Sequence, residues 1–126
     1  METHRPENLD DVRLAILRQH TQLLQLLDEL ETNADAVLAK GGDGEALRRA
    51  VDALHVRFTH HVEYEQSHLS RWLPKDHGEQ SARMNGLVHD RDVYGDPRAL
   101  AHEARAFVHS LRKELAEEAA TLRSLG

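Results

Sequence analysis

A chain of 126 residues without cysteine, carrying a formal net charge of −6, is the size of one domain and has no disulfide or thiolate chemistry. Its charges are interspersed rather than gathered into a basic face, which argues against nucleic acid, and no apolar run suits a signal peptide or membrane span, so the expected compartment is cytoplasmic. Ten histidines are the oddity, and they direct attention to hard or borderline metal ions.

Residues 1–8 read as a disordered lead ending in Asn8, a helix N-cap with Asp11 in the first turn. The first helix is expected from Leu9 to about Lys40, with Leu9, Ile16, His20, Leu24, Leu27, Glu31 and Leu38 sharing one face. The run KGGDGE at 40–45 supplies terminating glycines and Asp43 as the next cap, so the first two helices are antiparallel neighbours. The second helix is expected to stop at Pro74. At about 100° per residue, Leu47, Val51, Leu54, Val62, Leu69 and Trp72 fall within about 40° of Phe58, while His61 lies about 60° and Glu65 about 20° from it. A carboxylate on that face must be protonated, paired with a cation or bound to a metal, because burying it alone costs several kcal/mol.

Asp76 followed by Glu79 marks the start of a third helix over about 77–94, whose apolar residues Met84, Leu87, Val88, Val93 and Tyr94 define no single face. Gly95, Asp96 and Pro97 then form a C-cap, an N-cap and a favourable first helical residue, and a fourth helix runs to about Leu125. Along it, Leu100, Phe107, Leu111, Glu114, Glu118 and Leu122 repeat the order and spacing of Leu47, Leu54, Phe58, His61, Glu65 and Leu69. Glu114 and Glu118 are therefore expected to point inward as His61 and Glu65 do. Nothing alternates with a period of two, so the expected fold is all-α, an up-down-up-down antiparallel four-helix bundle spanning 1–126 as one domain.

Heights follow from the rise of about 1.5 Å per residue. His20 is level with His61 and Glu65. Counting down the third helix by the same amount reaches positions 85–89 and selects His89, leaving His77 roughly 12–18 Å too high if the helices are straight. The level of Glu114 does not agree with that of His89, which requires either an offset connection between the third and fourth helices or a third helix that continues further. His55, His60, His68, His102 and His109 are expected at the surface or periphery, with His60 and Tyr64 candidates to support the ligands, and Phe58 and Trp72 belong to the core.

With His20 in ILRQHTQLLQLL, His61-Val62-Glu63-Tyr64-Glu65 followed by Leu69, and His89 in LVHD, the chain resembles the hemerythrin-like, or HHE cation-binding, domain over essentially its whole length. That resemblance implies two non-haem iron ions, bridged by Glu65 and Glu118 and able to carry an oxo or hydroxo bridge, with His20, His61, His89 and Glu114 as further ligands. Glu114 stands where the family has histidine. The ligand set is therefore harder, nearer in character to ferritin-like centres, and compatible with Mn or Zn. The implied partners are dioxygen, peroxide or nitric oxide, for binding, sensing or detoxification; no protein partner is indicated. One alternative is a bundle with a degenerate or mononuclear site acting as a sensor or interaction module, and another is a peroxide-consuming di-iron enzyme.

Overall fold

In the computed structural model, which describes residues 8–73 and 76–125, the chain is all-helical: α1 Leu9–Lys40, α2 Glu45–His68, α3 Gly78–His89, α4 Arg91–Tyr94 and α5 Pro97–Ser124, with no strand among the described residues. The expected lead at 1–7 and the break at Pro74 lie outside the described residues. No described helix is long and apolar enough to cross a membrane.

The helix ends follow local chemistry. Asn8 accepts from the Asp11 amide at 2.8 Å, satisfying one of the first-turn donors that no helix can satisfy itself. Gly41 closes α1 at φ 80°. The N-cap of α2 is Gly44 rather than Asp43, although the Asp43 carboxylate still accepts from the Glu45 amide at 3.0 Å. Gly44 is required twice over: its φ is 77°, and a Cβ there would lie 3.0 Å from the Pro97 Cβ. Asp96 accepts from the amides of Arg98 and Ala99, and Pro97 follows as expected.

Two boundaries differ from expectation. The second helix ends at His68, and Leu69–Leu73 turns back through amides of Trp72 and Leu73 bonded to the Leu69 carbonyl. The third helix is broken at Asp90, whose extended backbone (ψ 109°) ends α3 while its carboxylate caps α4 through the Asp92 amide. An aspartate that offers its own side chain to the backbone competes well with helix continuation.

Neighbouring helices run antiparallel. Arg13 near the start of α1 donates to the carbonyls of Leu122 and Leu125 at the end of α5, while Asp35 near the other end of α1 pairs with Arg105 at 2.9 Å. Gln80 on α3 donates to Ser110 on α5 at 2.8 Å, and Tyr94 reaches Asp52 on α2.

The buried residues of α1 are Val12, Ile16, His20, Leu23, Leu27, Leu30, Ala34 and Val37. Their steps of three and four residues describe a seam of period near 3.5, typical of long helices packed at shallow angles. The expected face drifted off this seam: Leu24 is 40% exposed, Leu23 is buried in its stead, and Glu31 pairs at the surface with Arg112. The core is divided. A large apolar block, with Phe58 and Phe107 edge to face at 6.0 Å, fills one part; Val12, Ile16, Leu69 and Leu122 form a smaller block. Between the two in sequence, on α1, α2 and α5 alike, stand polar residues.

Candidate metal centre

On three helices the seam position that separates the two apolar blocks is polar. His20 lies between Ile16 and Leu23, His61 and Glu65 between Phe58 and Leu69, and Glu118 between Leu115 and Leu122. All four are nearly inaccessible, the most exposed being His20 at 4%. Each offers a ligand atom within 4.8 Å of the others, so the group could hold a metal ion. A fifth buried residue, His77, joins them from the residue preceding α3.

The imidazole Nε2 atoms converge on the two carboxylates. His20 Nε2 is 2.6 Å from Glu118 Oε1, and His61 Nε2 is 2.9 Å from Glu65 Oε2 and 3.5 Å from Glu118 Oε1. His77 Nε2 hydrogen-bonds Glu65 Oε1 and lies 3.9 Å from Glu118 Oε2. The oxygens of each carboxylate thus face different histidines: one toward the His20 and His61 side, the other toward His77.

The opposite ring nitrogens are anchored. His61 Nδ1 donates to Gln19 Oε1 at 2.7 Å and His77 Nδ1 donates to Glu114 Oε2 at 3.0 Å. With Nδ1 as donor, the neutral tautomer directs its Nε2 lone pair inward, the arrangement in which imidazole binds metals.

A lone pair 2.9 Å from a carboxylate in a dry interior requires positive charge between them. Protons supply it when no ion does. Burial works against charge on His77, but hydrogen bonds to Glu114 and Glu65 and the charges of Glu65 and Glu118 outweigh it and raise the pKa to about 9. His61 is raised for the same kind of reason, with Glu118 and Glu65 overcoming burial. Burial likewise opposes ionisation of Glu118, yet the His20 imidazole hydrogen-bonded to it and the charge of His61 beside it hold it well below the usual carboxylate range.

Protons do not satisfy the whole group. His61 Nε2, Glu65 Oε2 and Glu118 Oε2 are buried without a hydrogen-bond partner. His61 Nε2 and Glu65 Oε2 are close, but not aligned for a hydrogen bond. Two carboxylate oxygens and an imidazole nitrogen left unsatisfied side by side have the chemistry of a cation's donor set, since each such buried group otherwise costs about 1–3 kcal/mol or more. The residues fit a hard or borderline divalent ion.

Of the six residues expected as ligands, His20, His61, Glu65 and Glu118 are brought together. His89 is not: it is exposed on α3, its ring 6.1 Å from that of His55. The histidine on that side is His77. The height argument placed it too high because it carried α2 to Pro74 as a straight helix; with α2 ending at His68, the return of the chain lowers His77 to the level of Glu65. Glu114 is inward but stands behind His77, its side chain 18% exposed against 1% for Glu118. Gln19, which anchors His61, was not anticipated. Nothing in its sequence context distinguishes it from the other glutamines of α1.

A cavity of about 400 Å³ between α1 and α5 ends on His20 and is lined by Leu17, Leu24, Leu115 and Ala119, with Arg112 and Arg123 also contributing. In comparisons with known proteins, the chain matches no family model, no curated protein and no solved structure.

Proposed function

We propose that this chain is a non-haem metal protein of the hemerythrin-like kind: an up-down-up-down four-helix bundle, α3 and α4 together forming its third leg, that holds two iron ions and meets dioxygen, peroxide or nitric oxide. The observation that carries the reading is the convergence of His20, His61, Glu65 and Glu118 in one buried layer between two apolar blocks, with His61 Nε2, Glu65 Oε2 and Glu118 Oε2 lacking hydrogen-bond partners. A purely structural polar layer keeps most of its buried donors and acceptors paired.

The five residues divide naturally between two ions. His20 and His61 with Glu65 Oε2 and Glu118 Oε1 would hold one; His77 with Glu65 Oε1 and Glu118 Oε2 would hold the other. When bound, the ions supply redox equivalents and an open coordination position for a small oxidant. The chain's own residues keep the imidazoles in the correct tautomer, through Gln19 and Glu114, and exclude bulk water with Ile16, Leu69 and Leu122 on one side and Phe58 and Leu115 on the other.

Metal analysis of protein produced in iron-supplemented medium tests the reading. Between one and two equivalents of iron are expected, with none retained by His61→Ala or Glu65→Ala. Less than half an equivalent in the unaltered protein contradicts it. One observation favours a second reading, a degenerate site serving as an interaction module: protons on His61 and His77 already balance much of the charge. That reading predicts melting indifferent to both metal and chelator.

A further inference from the structure

The two positions are not equivalent in how the chain supports them. The first draws its four donors from the interiors of α1, α2 and α5, where each backbone is locked on both sides by helix. The second has three donors, and its only imidazole belongs to His77, which precedes α3 with non-helical backbone (φ −101°, ψ 16°) and makes no side-chain cap bond.

What fixes the His77 ring is Glu114. The Nδ1–H donates to Glu114 Oε2 at 3.0 Å, whereas the corresponding anchor of His61 is the neutral amide of Gln19 at 2.7 Å. A carboxylate behind an imidazole orients it and makes it a stronger donor, and loss of such a partner typically lowers metal affinity 10–100-fold. Glu114 is therefore placed where the donor count is lowest and the backbone least constrained.

We infer that Glu114 is a positioning residue for the second metal position alone: through His77 it determines whether the chain holds a pair of ions or a single one. This rests on the two-ion reading above. The ions load in order, the His20/His61 position first, and the His77 position fills only while the Glu114 carboxylate holds the ring.

The test uses the full chain, freed of metal and titrated with Mn(II) or Zn(II), followed by native mass spectrometry for stoichiometry and, for Mn(II), electron paramagnetic resonance. The unaltered protein is expected to bind two ions and to give a spin-coupled Mn(II) signal. Glu114→Gln, which keeps a neutral acceptor on a half-buried side chain, is expected to bind the first ion with unchanged affinity and the second roughly 10–100-fold more weakly, leaving the six-line signal of isolated Mn(II) at sub-saturating metal. Glu114→Asp should recover part of the second binding step. If Glu114→Gln binds both ions as tightly as the unaltered protein, or weakens both steps equally, the inference is overturned. If the unaltered protein binds no ion, it is the proposed function that fails, and the two failures are thus distinct.

Discussion

The His77 imidazole meets the Glu65 carboxylate in the interior, Nε2 to Oε1, although only twelve positions separate the two residues. The contact exists because α2 ends at His68 and the chain turns back through Leu69–Leu73. It gives the third helix a histidine in the polar layer and makes both oxygens of Glu65 face imidazoles.

Replacement of His77 and of His89 should therefore diverge. His77→Ala is expected to weaken Zn(II) or Mn(II) binding by more than the roughly 10–100-fold that follows from losing an outer partner. His89→Ala, on an exposed position, should leave the titration unchanged. Isothermal titration calorimetry checks both, and equal losses from the two variants would contradict the assignment.

Removing one partner from a buried charged group is more costly than removing the whole group. In metal-free protein, Glu118→Ala is expected to destabilise by about 3–5 kcal/mol, because His61 loses a counter-charge and His20 its hydrogen-bond partner in a dry site. Glu114→Ala, nearer the surface, should cost less, about 1.5–3 kcal/mol, the range for a hydrogen bond to a charged group. Replacing His20, His61, Glu65, His77 and Glu118 together by apolar residues of similar volume should be neutral or stabilising while abolishing metal binding. Urea denaturation measures all three, and a quintuple variant that fails to fold would assign the layer a structural role.

The dependence on pH has a definite sign. The pKa of His77 in the folded chain, about 9, lies above its ordinary 6.5, so its charge contributes stability fully below about pH 6.5 and loses it as pH rises through about 9. Glu118 lies below the ordinary carboxylate range, so its contribution is present at neutral pH and is lost on strong acidification. Metal-free protein should accordingly melt at lower temperature at pH 9 than at pH 7. Metal binding displaces the protons of His61 and His77, so affinity rises over the same interval and the gap between loaded and metal-free melting temperatures widens toward pH 9. Melting curves at pH 6, 7, 8 and 9 with and without Zn(II) test this; a gap that narrows contradicts it.

Most of the polar layer was legible because helical geometry is local. His61 and Glu65 stand one turn apart in an apolar frame, and Glu118 recurs in the matching frame of α5, so burial could be read from spacing alone. The same method placed Leu24 instead of Leu23 on the buried face of α1, because a period of 3.6 drifts from a 3.5-residue seam by about 20° per heptad, and α1 has 32 residues over which to accumulate the error. The positions of His77 and Glu114 were not legible for a different reason: they depend on where α2 ends and how the connection returns, and that is decided by tertiary packing around Leu69 rather than by any periodic signal. The break at Asp90 was missed because an aspartate within a helical pattern does not announce which way its side chain will bond.

Access to the layer should pass the cavity between α1 and α5. Ala119→Phe would fill part of the cavity while leaving all five central residues unsubstituted. The expected result is a slower removal of bound metal by a chelator, followed by stopped flow, with the final stoichiometry unchanged. An unaltered rate would place the route elsewhere.

The most direct test is anomalous diffraction from crystals of the unaltered protein grown with Fe(II), Mn(II) or Zn(II), recorded at the absorption edge of the metal. The account predicts strong peaks within coordinating distance of Glu65 and Glu118, one beside His20 and His61 and a second beside His77. A map with no peak there, and the two carboxylates bonded only to protonated imidazoles, would contradict it.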